Sequence, residues 1–215
     1  MSRIGLLGTG NVAKVLGAKL ILLGHEVVLG SRDPENSPVA EWAAGHGAGL
    51  TGLAEAAAGA DLVVNTAPGL ASLDVLTKAG ADNLRGKVII DVSNGIESRN
   101  GVTAVATPDG GSIAEQLQSA FPEARVVKTL NTMAGQVMVD PGRIPGHHTV
   151  FLSGDDPAAK AEVTELLKSF GWSDTQILDI GGVVTARATE AALLLFIHLF
   201  STFGSPEFNL SVAKA

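Results

Sequence analysis

Six consecutive residues near the start of the chain carry the strongest chemical signal. Gly8-Thr9-Gly10-Asn11-Val12-Ala13 follows a short apolar run, Ile4–Leu7, and opens a helix-length stretch, Val12–Leu23. The pattern fits G-x-G-x-x-A, a variant of the dinucleotide fingerprint. Gly8 permits the tight turn from strand to helix, and Gly10 lets a pyrophosphate approach the backbone. Ala13 keeps the helix close to the sheet. The helix N-terminus then offers unpaired N–H groups to the anion. A purely structural glycine turn is the alternative reading of the same residues.

The second strand, ending in Glu26-Val27-Val28-Leu29-Gly30-Ser31-Arg32, decides which dinucleotide fits. An NAD site usually ends this strand on Asp or Glu, which accepts from the ribose 2′-OH. Here Glu26 stands at the strand's start, too early for the ribose. Arg32 can hold a 2′-phosphate through a charge-assisted fork, with Ser31 and Thr9 adding hydroxyl donors. Asp33 could instead pair with Arg32 or bind the ribose, but Asp33-Pro34 reads as the cap of the next segment. NADP is therefore favoured over NAD.

Other chemistry is excluded by composition. The chain has no cysteine and no tyrosine, so thiol nucleophiles, disulfides, thiolate metal sites and a tyrosine general acid are absent. The formal charge is −7, from 15 basic and 22 acidic residues, a poor balance for nucleic-acid binding. His147-His148 is an unpromising metal pair, because neighbours entering a strand point to opposite faces. His198 on an apolar stretch reads as a core or interface residue, His25 as a loop residue and His46 as helix-end punctuation. Arg187 and Glu190, three apart, suggest an ion pair on one helix face. Asp91 reads as a turn cap, and Asn94-Gly95 as a turn with a possible ligand role for Asn94. Asn131, just past a strand end, either meets a ring carboxamide or bonds its own turn.

Stepping outward, short apolar strands alternate with helix-length stretches. Ile4–Leu7, Glu26–Leu29, Asp61–Thr66, Lys87–Val92, Arg125–Leu130 and Thr149–Leu152 read as buried strands. Between and after them, Val12–Leu23, Pro38–Gly45, Leu53–Ala58, Gly69–Ala79, Ser112–Phe121 and Pro157–Phe170 read as helices. Asp156 and Pro157 mark the N-cap and first position of the last. The alternation predicts an α/β fold, a Rossmann-type doubly wound parallel sheet. Residues 1–215 form a single domain in this reading: a nucleotide-binding core over about 1–133 and a small C-terminal αβ extension over about 134–215. In the extension, Ile177-Leu178 is a possible short strand and Thr185–Phe203 a long helix. The apolar stretch Ala191–Phe200 is too short to span a bilayer. Its nearly continuous apolar circumference predicts burial on most sides, either within the monomer or in a homodimer interface. Met1-Ser2-Arg3 runs straight into a strand, which argues against a signal peptide and for a cytoplasmic address.

The fingerprint and the segment Gly24-His25-Glu26-Val27-Val28-Leu29-Gly30-Ser31-Arg32 resemble the coenzyme F-420:NADP oxidoreductases, a family to which a cytosolic domain of membrane ferric reductases is related. The similarity continues through Val127-Lys128-Thr129-Leu130-Asn131-Thr132-Met133, Ser153-Gly154-Asp155-Asp156, Thr185-Ala186-Arg187 and the tail Gly204-Ser205-Pro206-Glu207-Phe208-Asn209. The resemblance implies hydride exchange between NADPH and a deazaflavin (coenzyme F-420) or flavin in a homodimer. It assigns Thr9, Ser31 and Arg32 to the 2′-phosphate. It places the stacked rings over Ala67-Pro68, with Thr66 beside them on the cofactor, over Ser93-Asn94-Gly95 and over Asn131-Thr132-Met133-Ala134, with Pro206 and Phe208 from the tail. Archaeal members carry His where this chain has Asn131, and a further basic residue where it has Asn36. Two other readings stand beside it: an imine or pyrroline-type reductase, which needs a proton donor, and a non-catalytic NADP-binding redox sensor.

Overall fold

The computed structural model describes residues 1–99 and 102–214. In chain order the elements are β1 (Arg3–Leu7), α1 (Asn11–Leu22), β2 (Glu26–Ser31), α2 (Ala40–His46), β3 (Gly49–Gly52), α3 (Leu53–Ala58), β4 (Leu62–Asn65), α4 (Gly69–Ala79), α5 (Ala81–Leu84) and β5 (Val88–Asp91). There follow β6 (Ile96–Arg99), β7 (Val102–Val105), α6 (Ile113–Ala120), β8 (Arg125–Thr129), α7 (Gly135–Val139), β9 (Val150–Ser153), α8 (Pro157–Phe170), β10 (Ile177–Asp179), α9 (Ala186–Ala191) and α10 (Leu193–Phe203). One eight-stranded sheet runs in the order β10-β9-β8-β5-β4-β1-β2-β3.

The winding reverses between β1 and β4, the switch point at which open α/β sheets bind ligands. Strand residues alternate between two apolar layers because successive side chains point to opposite faces. Ile4, Leu6, Val64 and Ile90 pack with α1, α2 and α8, while Leu7, Val63 and Ile89 pack with α3, α4 and α6. Asp156 caps α8 by accepting from the Ala159 N–H at 2.8 Å, with Pro157 at the first position.

The sheet is mostly parallel, not wholly so. β9 runs antiparallel to β8, pairing Thr129 with Leu152, and β10 returns parallel to β9 across α8. Only the five-residue α7 and a single 3-10 turn lie between β8 and β9, so that connection makes no full helical crossover. The edge strand β3 and the β6–β7 hairpin are additions to the expected set. So are the short helices α5 and α7.

The C-terminal helix departs most from expectation. It breaks at Ala192 into α9 and α10, and only Leu193 of α10 is buried. Leu194, Leu195, Phe200 and Phe203 are exposed, as is His198, so this is not a central helix of the monomer. The helical run Val183–Phe203, with its leading 3-10 turn, is 21 residues long and contains an 18-residue stretch with a mean hydropathy of 1.6. It is thus long and apolar enough to cross a membrane, unlike the shorter stretch Ala191–Phe200. Its first half is instead held to the protein by polar contacts of Arg187 and Glu190.

Candidate functional site

A cavity of about 790 Å³ lies along the C-terminal edge of the sheet and spans the switch point. At its centre, Gly8 has φ +139°, and a Cβ there would stand 2.6 Å from Thr66 Oγ1. Only glycine makes this turn. Gly10 is different: its φ of −80° suits any residue, yet nothing lies within 4 Å of where its Cβ would be. That empty space is part of the cavity. α1 starts immediately afterwards with no side-chain cap, so its first N–H groups are left for a ligand.

Ser31, Arg32, Thr9, Asn11 and Val12 line the same half of the cavity. The Asp33 carboxylate accepts from the Asn36 side chain at 3.0 Å and from the Asn36 backbone N–H at 3.2 Å. It caps its own turn and does not pair with Arg32. Glu26 is likewise spent at the start of its strand, 3.2 Å from Arg3. A guanidinium, two hydroxyls and a bare helix terminus converge here, a donor set suited to a phosphorylated ribose and a pyrophosphate. A neighbouring cavity continues from Ser31 and Arg32 to Lys78, a cation the sequence pattern did not single out.

The other half is mostly apolar, with one amide and one hydroxyl. Ala67, Pro68, Ser93, Asn94, Met133 and Ala134 line it, joined by Ile96, Gly135, Met138 and Phe196. Among the described residues lining this half, none is titratable. The Ser93 hydroxyl is buried and has no hydrogen-bond partner. Phe196 is the main residue that sequence reasoning missed, since its place depends on how α10 docks. Its ring lies 5.0 Å from that of Phe208, which in turn lies 5.4 Å from Phe203. Pro206 and Phe208 do not line the cavity themselves; Phe208 braces Phe196 from behind.

Asn131 also stands one layer back. It is 4% exposed, donates to Asn94 Oδ1 at 3.0 Å and accepts from Asn94 Nδ2 through its carbonyl at 2.7 Å. Of the two, Asn94 lines the cavity. Leu130 before it adopts φ +64°, a left-handed conformation costly for a branched side chain and common at ligand sites.

Arg187 and Glu190 do not pair with each other. Arg187 forks onto Glu115 at 2.7 Å through two nitrogens, and this guanidinium holds the Glu115 carboxyl below the usual carboxylate range. Glu190 turns inward to Lys128 at 2.9 Å. Asp91 accepts from the Ser93 N–H at 3.1 Å, the turn cap expected of it, but also meets Lys128. The two adjacent histidines separate: His147 bonds the Thr175 carbonyl, while His148 is buried between the Pro141 carbonyl and Asn209. His46 stacks on Trp42 at the end of α2.

Comparison with known proteins agrees with this geometry. The family model described as NADP oxidoreductase, coenzyme F-420-dependent, matches residues 3–95. The F-420-dependent NADP reductase of Methanothermobacter thermautotrophicus is 30% identical over 203 residues, which are 89% of this chain and 86% of that protein. The metalloreductase STEAP3 of Rattus norvegicus is 31% identical over 196 residues, and there the match spans 88% of this chain but only 36% of the relative. A solved structure from Arthrobacter sp. FB24, provisionally described as an F-420-dependent NADP reductase, superposes with a TM-score of 0.94 at 44% identity over the whole of both chains. An imine reductase from Pseudomonas sp. shares the fold, with a TM-score of 0.68 at 21% identity over 94% of this chain and 63% of its own.

Proposed function

The chain belongs to the coenzyme F-420-dependent NADP oxidoreductase family, and from that membership we propose that it exchanges a hydride between NADP(H) and a deazaflavin, coenzyme F-420, or a flavin. The observation that carries the reading is the two-part cavity: a half built on Gly8, Gly10 and Arg32 that suits phosphates, joined to a mostly apolar half without titratable groups among the described residues. The hydride passes directly between two ring systems, which supply the chemistry themselves. The protein's share is placement and exclusion of water. The residues Gly8, Gly10, Asn11 and Val12 hold the pyrophosphate, and Thr9, Ser31 and Arg32 hold the 2′-phosphate. Thr66, Ala67, Pro68, Ser93, Asn94, Met133 and Ala134 seat the nicotinamide, and Phe196 flanks the second ring. Asn131, Pro206 and Phe208 support this wall from behind. Holding donor and acceptor carbons near ~3–3.5 Å is the main catalytic demand.

Imine reduction is the second reading, favoured only by the shared fold. It needs a protein acid near the substrate, and the described residues of the ring half provide none. A redox sensor without turnover is the third. Residues 1–215 act as one domain in this proposal, cytoplasmic and paired as a homodimer through α10. Stopped-flow oxidation of NADPH with F-420, FMN, FAD and a cyclic imine in turn separates the readings. Oxidation with F-420, or with a free flavin, supports the proposal and identifies the acceptor. Turnover with the imine alone refutes it, and tight NADPH binding with no acceptor reduced favours the sensor.

A further inference from the structure

Three neighbouring parallel strands end one buried face on a polar side chain. Asn65 on β4, Asp91 on β5 and Lys128 on β8 lie in register across the sheet. Lys128 and Asp91 expose no side-chain surface, and nor does Glu190, which reaches them from α9. Lys128 Nζ lies 2.9 Å from Asp91 Oδ2 and 2.9 Å from Glu190 Oε1, and it donates to the Ser93 carbonyl. The second oxygen of Asp91 accepts from Asn65 at 2.8 Å and from the Ser93 N–H at 3.1 Å. Glu190 also accepts from the first N–H groups of α6, those of Ile113 and Ala114, at 2.8 and 3.3 Å.

Removing three ionised groups from water is costly, and apolar residues of similar volume commonly serve stability as well or better. The arrangement is better explained by what it aligns. Ser93 is gripped through both its carbonyl and its N–H, while its buried hydroxyl keeps no protein partner and the residue lines the cavity. Glu190 fixes α9, and six residues further on Phe196 lines the same apolar half. Lys128 is in contact with both supports. We propose that Lys128 is a positioning residue for the ring half of the cavity, setting the Ser93-Asn94 wall through Asp91 and the Ser93 carbonyl, and the Phe196 wall through Glu190. Without its charge the two carboxylates face each other unshielded, and loop and helix move apart.

The assignment rests on the cavity taking NADP(H), and its test is built to separate the two claims. Calorimetry would measure 2′,5′-ADP, which reaches only the Arg32 half, and NADP⁺, which fills both. Steady-state turnover with NADPH would be followed in parallel. In Lys128→Met, 2′,5′-ADP affinity stays within about twofold of the unaltered protein, NADP⁺ loses its advantage over it, and kcat falls at least about tenfold. Glu190→Gln keeps the side-chain shape and shows the same pattern more weakly, which serves if Lys128→Met does not fold. Equal losses on both ligands would indicate a merely structural role and overturn the assignment, as would unchanged kcat in a folded variant. Unaltered protein that binds neither ligand overturns the dinucleotide reading, and this assignment with it.

Discussion

Gly8 and Gly10 belong to one motif, yet a methyl group would cost them different things. At Gly8 the positive φ and the contact with Thr66 oppose any side chain, whatever the ligand. At Gly10 the backbone is extended, with φ −80° and ψ −173°, and the space beside it is open. Gly8→Ala should therefore lose about 1–3 kcal/mol of folding stability. Gly10→Ala should keep its stability or gain about 0.4–1 kcal/mol, because alanine restricts the unfolded chain. The same change puts a methyl group where the pyrophosphate approaches, so KM for NADPH should rise by about tenfold or more. Chemical denaturation and steady-state kinetics on the two variants check this. A Gly10→Ala protein that unfolds more easily, or that keeps its KM, would show that the glycine serves the turn and not the ligand.

At the scale of elements, α9 is a clamp on the start of α6. Ser112 caps α6 by accepting from the Glu115 N–H, Glu190 accepts from the first two N–H groups, those of Ile113 and Ala114, and Arg187 forks onto Glu115. Arg187 holds the Glu115 carboxyl below its ordinary value of 4.5, so the ionised form is the one the fold favours. A depressed carboxyl contributes stability above its unfolded value and loses it as pH falls through the folded one. Arg187→Met should thus unfold at lower denaturant than the unaltered protein at pH 7, and the gap should shrink as pH falls below 4.5 and through the lower folded value. A gap that stays constant across that range would mean the guanidinium acts by packing. The sequence shows α6 and its Ser112 start, but not this clamp, because Glu115 and Arg187 are 72 residues apart. The same limit explains which other elements were legible. Continuous apolar runs such as Leu62–Asn65 and Val88–Asp91 announce buried strands, whereas β3 is half glycine and signals nothing. An apolar run also has no direction, so β9 reads alike whether parallel or antiparallel. The Gly8–Gly10 turn beside the cavity was legible because a backbone motif encodes it locally; the places of Phe196 and Lys128 were not, because docking alone sets them.

For the whole molecule, the unresolved tension is α10. A helix on a protein surface usually shows one apolar stripe, and a helix apolar all round is normally buried. α10 exposes Leu194, Leu195, Phe200 and Phe203, which lie well apart around its circumference, while Leu193 alone is buried. Yet the same helix lends Phe196 to the cavity and packs Phe196 and Phe203 on Phe208. It cannot leave for a lipid phase without dismantling the ring half and pulling Glu190 from Lys128. A second copy of the chain would cover this surface without either cost, which is the physical basis for the proposed homodimer. Sedimentation velocity should accordingly show a dimer at micromolar concentration. Leu195→Glu combined with Phe200→Glu should give monomers, because charges placed in an apolar interface must be desolvated on association. Affinity for 2′,5′-ADP should stay within about twofold in that variant, since the phosphate half is built on the other side of the switch point. Unaltered protein that sediments as a monomer would refute the pairing and leave the exposed helix to a partner of another kind.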